Sequence, residues 1–220
     1  MSLKFKFDNT YTRLPDYLLT RLSPTPVKNP ESIIFNFKLA EEMGLDMNGI
    51  NNQNIADFFS GNKLPPNLET FSQAYAGHQF GHFVILGDGR AHMLGEHIKP
   101  DGERVDIQFK GSGKTPYSRS GDGRAALGPM LREYIISEAM HHLGIPTTRS
   151  LCVVKTGETI LMEDKLEGAI LTRVASSHLR VCTFQFVSTN QDNKTLSQLV
   201  EYTIERHFPD LKNSNNIALD

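Results

Sequence analysis

The run GSGKT at residues 111–115 has the residue types of a loop that cradles nucleotide phosphates. Such a loop needs a first glycine five positions before its Gly-Lys pair, and it must lead from a strand straight into a helix. Gln108 stands where that glycine belongs. Thr115 is followed by Pro116, which drives the preceding residue out of the helical region, so the required helix cannot begin there. The segment is not a phosphate loop of this kind. The lysine of interest is Lys110, at the end of the alternating stretch GERVDIQFKG. There Val105, Ile107 and Phe109 share one face, and Asp106, Gln108 and Lys110 share the other. The next long helix carries Glu133. A strand lysine paired with a glutamate on the following helix is how protein kinases fix a lysine on nucleotide phosphates. An exposed surface ion pair accounts for the same two residues equally well. Upstream, Gly87 and Gly89 stand where a kinase has its glycine-rich loop, but His92 breaks the full pattern.

The framework around these residues is marked by prolines, glycines and hydrophobic periodicity. Three prolines punctuate LSPTPVKNPE as an extended surface stretch. A helix is expected over about Glu31–Met43, closed by Gly44, and another in NNQNIADFFSGNKLPPN, stopped by Gly61 and Pro65-Pro66. Residues 1–66 form an N-terminal extension that packs on the rest of the chain. GHFVILGDGRAHMLGEHI is two apolar runs joined by Gly-Asp-Gly, a hairpin signal. A helix over about Pro129–Leu143 ends at Gly144 and Pro146. TTRSLCVVKTGETILMED reads as a second hairpin turning at Thr156-Gly157, and GAILTRVASSHLRV opens as a strand. TLSQLVEYTIERHF is an amphipathic helix, with Thr195 and Gln198 at capping-box spacing. The fold class expected is α+β: a small antiparallel sheet with one helix against it.

Composition excludes several classes. Apolar residues make up 39% and charged residues 22% of 220 residues, with a formal net charge of −2. A dedicated nucleic-acid or membrane-surface binder would carry a basic excess. The N-terminus lacks a signal-peptide core, and no window approaches the ~18 apolar residues that span a bilayer. Cys152 and Cys182 sit in apolar contexts and read as buried small hydrophobes in a reducing compartment. A cytoplasmic location is expected. His78 and His82 have metal-ligand spacing only if helical, which the interleaved glycines oppose. His141-His142 reads as a solvated helix end.

The segments AYAGHQFGHF, LGDGRA, QFKGSGKTPYSRSGDGRAALG, LREYIISEAMHHLGIPTTRSL and ILTRVASSHLRV, in this order, resemble the selenoprotein O family over about Phe71–Val181. RLPDYL and SPTPVKNP match more loosely. The resemblance implies a protein-kinase-like N-lobe over 67–182, after the extension at 1–66 and before the start of a truncated second lobe at 183–220. It implies protein AMPylation, in which AMP passes from ATP, bound inverted relative to a kinase, to a Ser, Thr or Tyr hydroxyl of a protein substrate. By the same likeness Gly87, Gly89 and Arg90 contact nucleotide, Lys110 holds phosphate and Glu133 holds Lys110. Asp122 and Gly123 close over the nucleotide, and Arg173 and Arg180 grip the triphosphate. Family members run to several hundred residues. Their catalytic aspartate and the ligands for Mg2+ or Mn2+ are expected beyond Asp220, where this chain stops. The 220 residues are therefore expected to be inactive alone, with NSNNIALD a severed connection. Exposed apolar surface left by the missing lobe would favour self-association or exchange of the 195–208 helix. A pseudokinase module acting by partner binding, or a kinase transferring the γ-phosphate, are the rival functions.

Overall fold

The computed structural model describes residues 3–79, 81–161, 165–190 and 192–213. The tail from residue 214 to Asp220, which holds most of NSNNIALD, lies outside the described residues, so the expectation of a severed connection there falls outside them too. Eight strands form one antiparallel sheet: β1 (Leu19–Arg21), β2 (Glu31–Phe35), β3 (Phe71–Gln79), β4 (His82–Gly87), β5 (Ala91–Ile98), β6 (Arg104–Lys110), β7 (Arg149–Leu161) and β8 (Lys165–Ala175). Their order is β1-β3-β5-β6-β8-β7-β2, with β4 paired to β3. Both edge strands of that order come from residues 1–66. Among the described residues, five α-helices and three short 3-10 turns complete the fold: α1 (Phe37–Glu42), α2 (Asn52–Phe59), α3 (Leu127–His142), α4 (Val181–Thr189) and α5 (Asn193–His207) are the α-helices. The fold is α+β.

The alternation in β6 sorts the two faces. Ile107 and Phe109 are fully buried against a cluster built with Leu39, Met43, Ile55 and Phe59 of α1 and α2 and the residue that follows α1. On the opposite face, Met130 of α3 packs on Val153, Ala169 and Leu171. Met93 shares that face because it is paired with Gln108. There it joins Phe71, Val187 of α4 and Leu199 of α5. α5 thus packs within its own chain, with Leu199 fully buried.

Several local expectations are corrected. The runs flanking Gly87–Gly89 do not pair with each other. β4 folds back on β3, from Gln79↔His82 to Ala74↔Gly87, and β5 pairs with β6. The hairpin therefore turns between Gln79 and His82, where Gly81 supplies a positive φ of +82°. His78 and His82 lie on its two strands, not on a helix. Thr156-Gly157 is not a turn either. Lys155 pairs with Ala169 and Thr159 with Glu167, so the intervening residues are a bulge within one long strand. The expected helix over 31–43 divides. Its Ser-Ile-Ile-Phe run pairs with β7 as an edge strand, which suits β-branched and aromatic residues. Asn36 then caps α1 by accepting the amide of Leu39 at 3.0 Å. The cap of α5 is Asp192, which accepts the amide of Thr195 at 3.0 Å, so Thr195 lies inside the helix. No helix starts at Thr115; Pro116-Tyr117 is a turn closed by the Ser118 amide on the Thr115 carbonyl. Cys152 is buried, whereas Cys182 is only half-buried because it opens α4 at the sheet's margin. α4 itself has no counterpart among the expected elements.

Candidate functional site

Lys110 leaves the sheet on the α3 face and donates to Oε2 of Glu133. Arg173, on the neighbouring strand β8, reaches the other oxygen: its Nε donates to Glu133 Oε1 at 2.6 Å. One carboxylate therefore braces two cations from adjacent strands. Gln108 completes the set, accepting from Arg173 Nη1 at 3.1 Å. All three charged groups are half-buried. Burial alone would raise the Glu133 carboxyl, but Arg173 and Lys110 outweigh it and hold it below the usual range. Lys110 is pulled down from its ordinary value by burial and then by Arg173, and Glu133 only partly offsets this. The two partners thus both shift downward. The lysine's direction follows from its burial first, and then from sharing one carboxylate with a second cation.

Arg90 joins this group through backbone pairing. Ala91 is opposite Lys110, and the Gly111 amide donates to the Arg90 carbonyl at 2.7 Å. The 87–90 turn is held from behind by the TPYS segment. Thr115 Oγ1 donates to the Asp88 carbonyl at 2.8 Å, and Ser118 Oγ donates to the Gly89 carbonyl. A Cβ at Gly87 would overlap the Tyr117 ring, and one at Gly89 the Tyr117 carbonyl. These glycines have a packing reason as well as any ligand-facing one. Gly123 has φ +72°, and a Cβ there would overlap the Gly113 carbonyl. Asp122 is exposed and accepts the Arg124 amide at 2.9 Å. Gly87, Gly89, Arg90, Asp122 and Gly123 line one open cavity of ≈470 Å³, with Tyr75 and Tyr117 on its wall.

Arg180 connects the cavity to the sheet. Its guanidinium lies 4.4 Å from the Tyr75 ring centroid, the geometry of a cation–π contact. It stands 3.6 Å from Asp88 Oδ1 and donates to Gln73 Oε1 at 3.4 Å. Asp88 is buried, and burial pushes its carboxyl up despite Arg180 and the Gln73 amide. The residues given a nucleotide-binding role by the resemblance therefore fall in one neighbourhood: Lys110, Glu133 and Arg173 in direct contact, the two GDGR turns around the cavity, and Arg180 beside Tyr75 and Asp88. Sequence reasoning missed Tyr75, Gln73, Asp88 and Gln108. Gln108 carried a signal, because alternation places it on the Lys110 face. Asp88 sits inside the first GDGR, and nothing in the sequence announced that it is buried. Arg90, Lys110, Arg173 and Arg180 stand in this neighbourhood with three carboxylates, half-buried Glu133, buried Asp88 and exposed Asp122. Four cations against three carboxylates have the chemistry to bind an anion.

Curated proteins similar to this chain in sequence include several named protein nucleotidyltransferase YdiU. The protein nucleotidyltransferase YdiU of Nitrosococcus oceani is 60% identical over 97% of this chain and 43% of its own length. That of Pelagibacter ubique is 57% identical over all of this chain and 46% of its own length. The family described as protein adenylyltransferase SelO matches residues 1–219. The chain belongs to that family, and it spans less than half the length of these relatives. Among the described residues no helix is long and apolar enough to cross a membrane.

Proposed function

We propose that this chain is the nucleotide-gripping part of a protein adenylyltransferase, with residues 67–182 as a kinase-like N-lobe, 1–66 as an extension onto it, and 183 onward as the start of a second lobe. The observation that carries this is the Lys110–Glu133–Arg173 arrangement, two cations held by one carboxylate on an otherwise cationic face. ATP is the nucleotide. In the transfer, a Ser, Thr or Tyr hydroxyl oxygen of a protein substrate attacks the α-phosphorus. The bond to the bridging oxygen breaks, pyrophosphate leaves, and the hydroxyl proton is lost to a base. Lys110, Arg173 and Arg180 bind the phosphates and neutralise charge that builds on the departing pyrophosphate. Arg90 and the two glycine turns enclose the remainder of the nucleotide.

Among the described residues no three His, Cys, Asp or Glu side chains gather to hold a metal ion. The described residues alone do not offer a three-ligand site for Mg2+ or Mn2+. Metal ligands and the catalytic base belong to the region corresponding to what the longer relatives carry beyond Asp220.

The test uses a protein extended to the length of those relatives, incubated with ATP labelled at the α- or the γ-phosphate. Label on protein from the α position supports AMP transfer. Label only from the γ position establishes kinase chemistry instead, and none from either supports a nucleotide-binding module that acts through a partner.

A further inference from the structure

Arg180 is presented by the short connection 176–180 between β8 and α4, and that connection is fastened from outside by α5. Arg206 Nη2 donates to the Ser176 carbonyl at 2.7 Å and to Asp106 Oδ1 at 2.6 Å. The other oxygen of Asp106 accepts the His178 amide at 2.6 Å. The His178 carbonyl in turn accepts from Arg180 Nη1 at 2.8 Å. His207, one residue on, meets Ser177 Oγ at 3.0 Å. The His178 ring stands beside the same carboxylate, Nδ1 3.5 Å from Asp106 Oδ2, too long and poorly aimed for a hydrogen bond, so this residue is held chiefly through its backbone. Arg206 is itself fixed: its side chain is 5% exposed, it donates to Tyr202 Oη at 2.8 Å, and it lies 3.2 Å from Glu96 Oε2. The path from α5 to the guanidinium of Arg180 is thus a chain of short charge-assisted bonds, which are about twice as strong as neutral ones.

We propose that Arg206 and Asp106 are positioning residues for Arg180, so that the seating of α5 on the sheet sets the grip on the nucleotide phosphates. This rests on the phosphate role given to Arg180 under Proposed function. α5 closes the described chain apart from one short turn, so whatever shifts this helix shifts Arg180 without touching the cavity.

A double-mutant cycle on ATP affinity, measured by calorimetric titration of this chain, tests it. Arg206→Gln is expected to weaken ATP binding about tenfold, as much as Arg180→Ala, and to add nothing in the Arg180→Ala background. With Lys110→Ala its effect should multiply. Wild-type affinity in Arg206→Gln, or an undiminished further loss in the Arg180→Ala background, overturns the proposal. If Arg206→Gln does not fold by circular dichroism, Arg206→Lys replaces it in the same cycle, since lysine keeps the charge but cannot bridge Asp106 and Ser176 as a fork. If the chain shows no ATP binding, or Arg180→Ala leaves affinity unchanged, the phosphate role of Arg180 fails in this chain. Hydrogen exchange then decides the positioning claim. Lost protection of the His178 amide in the Arg206 variant upholds it, and full protection overturns it.

Discussion

Lys110 holds its proton less firmly than an ordinary lysine, because burial and Arg173 outweigh the help from Glu133. Its charge is therefore lost earlier as pH rises. Nucleotide affinity should fall on the alkaline side, beginning below the usual lysine range, and Lys110→Arg should remove that limb because a guanidinium stays charged. Titrations at a series of alkaline pH values check this. Folding stability should move the other way over the same window. The folded state binds fewer protons there than the unfolded state, so stability rises between the lowered and the ordinary lysine pKa. Gly123 tests a different property of single residues. Its positive φ and its contact with the Gly113 carbonyl leave no room for a side chain. Gly123→Ala should cost about 3–4 kcal/mol, backbone strain and overpacking together. Gly144, also at positive φ but with open space around it, should cost only about 1–2 kcal/mol on the same change. Urea unfolding of the two variants separates crowding from backbone strain.

Among the elements, α3 sets the geometry of the site because it is pinned twice. Glu133 faces Lys110 and Arg173, and Glu138 lies below it. Glu138 takes Arg149 at 2.8 Å, the Ser150 amide at 2.9 Å and Asn36 at 2.8 Å. Arg149→Ala should destabilise the fold by about 2 kcal/mol, less than breaking a fully buried pair costs, because the Ser150 and Asn36 bonds still serve the carboxylate. Thermal unfolding measures the loss, and Glu138→Leu in the same chain should recover part of it. α3 was legible in the sequence because Pro129 and Gly144 mark its ends. β6 was legible by its alternation, and with it the face that carries Lys110. What was not legible depends on partners distant in sequence. Gly87-Asp88-Gly89 and Thr156-Gly157 have the chemistry of turns, yet β3 and β8 run on past them, and pairing with a long neighbour turns each into a bulge or crossing. VCTFQFVST is rich in β-branched and aromatic residues, which disfavour a helix locally. It is helical because Val187 packs beneath α5 and against Phe71, and because Gly77 on β3 leaves room for Cys182.

For the whole molecule, residues 1–220 incubated with α-labelled ATP and a protein acceptor should transfer no label, since this chain spans less than half the length of its relatives and the catalytic base is proposed to lie in the remainder. One group of exposed apolar side chains lies on α3 and just beyond it. Ile135, Ile136, Leu143 and Ile145 are 62, 54, 76 and 46% exposed. Contiguous apolar patches are seldom left to solvent by a monomer. Self-association through this surface, not by exchange of the well-packed α5, is expected in sedimentation runs at rising concentration, and Ile136→Lys with Leu143→Lys should abolish it. The two edge strands drawn from the amino-terminal residues have a further consequence, one of timing. As the chain emerges from a ribosome, β1 must wait for Phe71–Gln73 and β2 for Cys152–Lys155. β1 can therefore be secured early, whereas β2, the second strand made, is among the last, and closing so long a loop is slow. Until β7 is synthesised and β2 can cover it, the growing rim of the nascent sheet stays open to pairing with a neighbouring chain. A variant begun at residue 67 would stay in that unprotected state permanently, and its yield of folded protein would be governed by aggregation during synthesis.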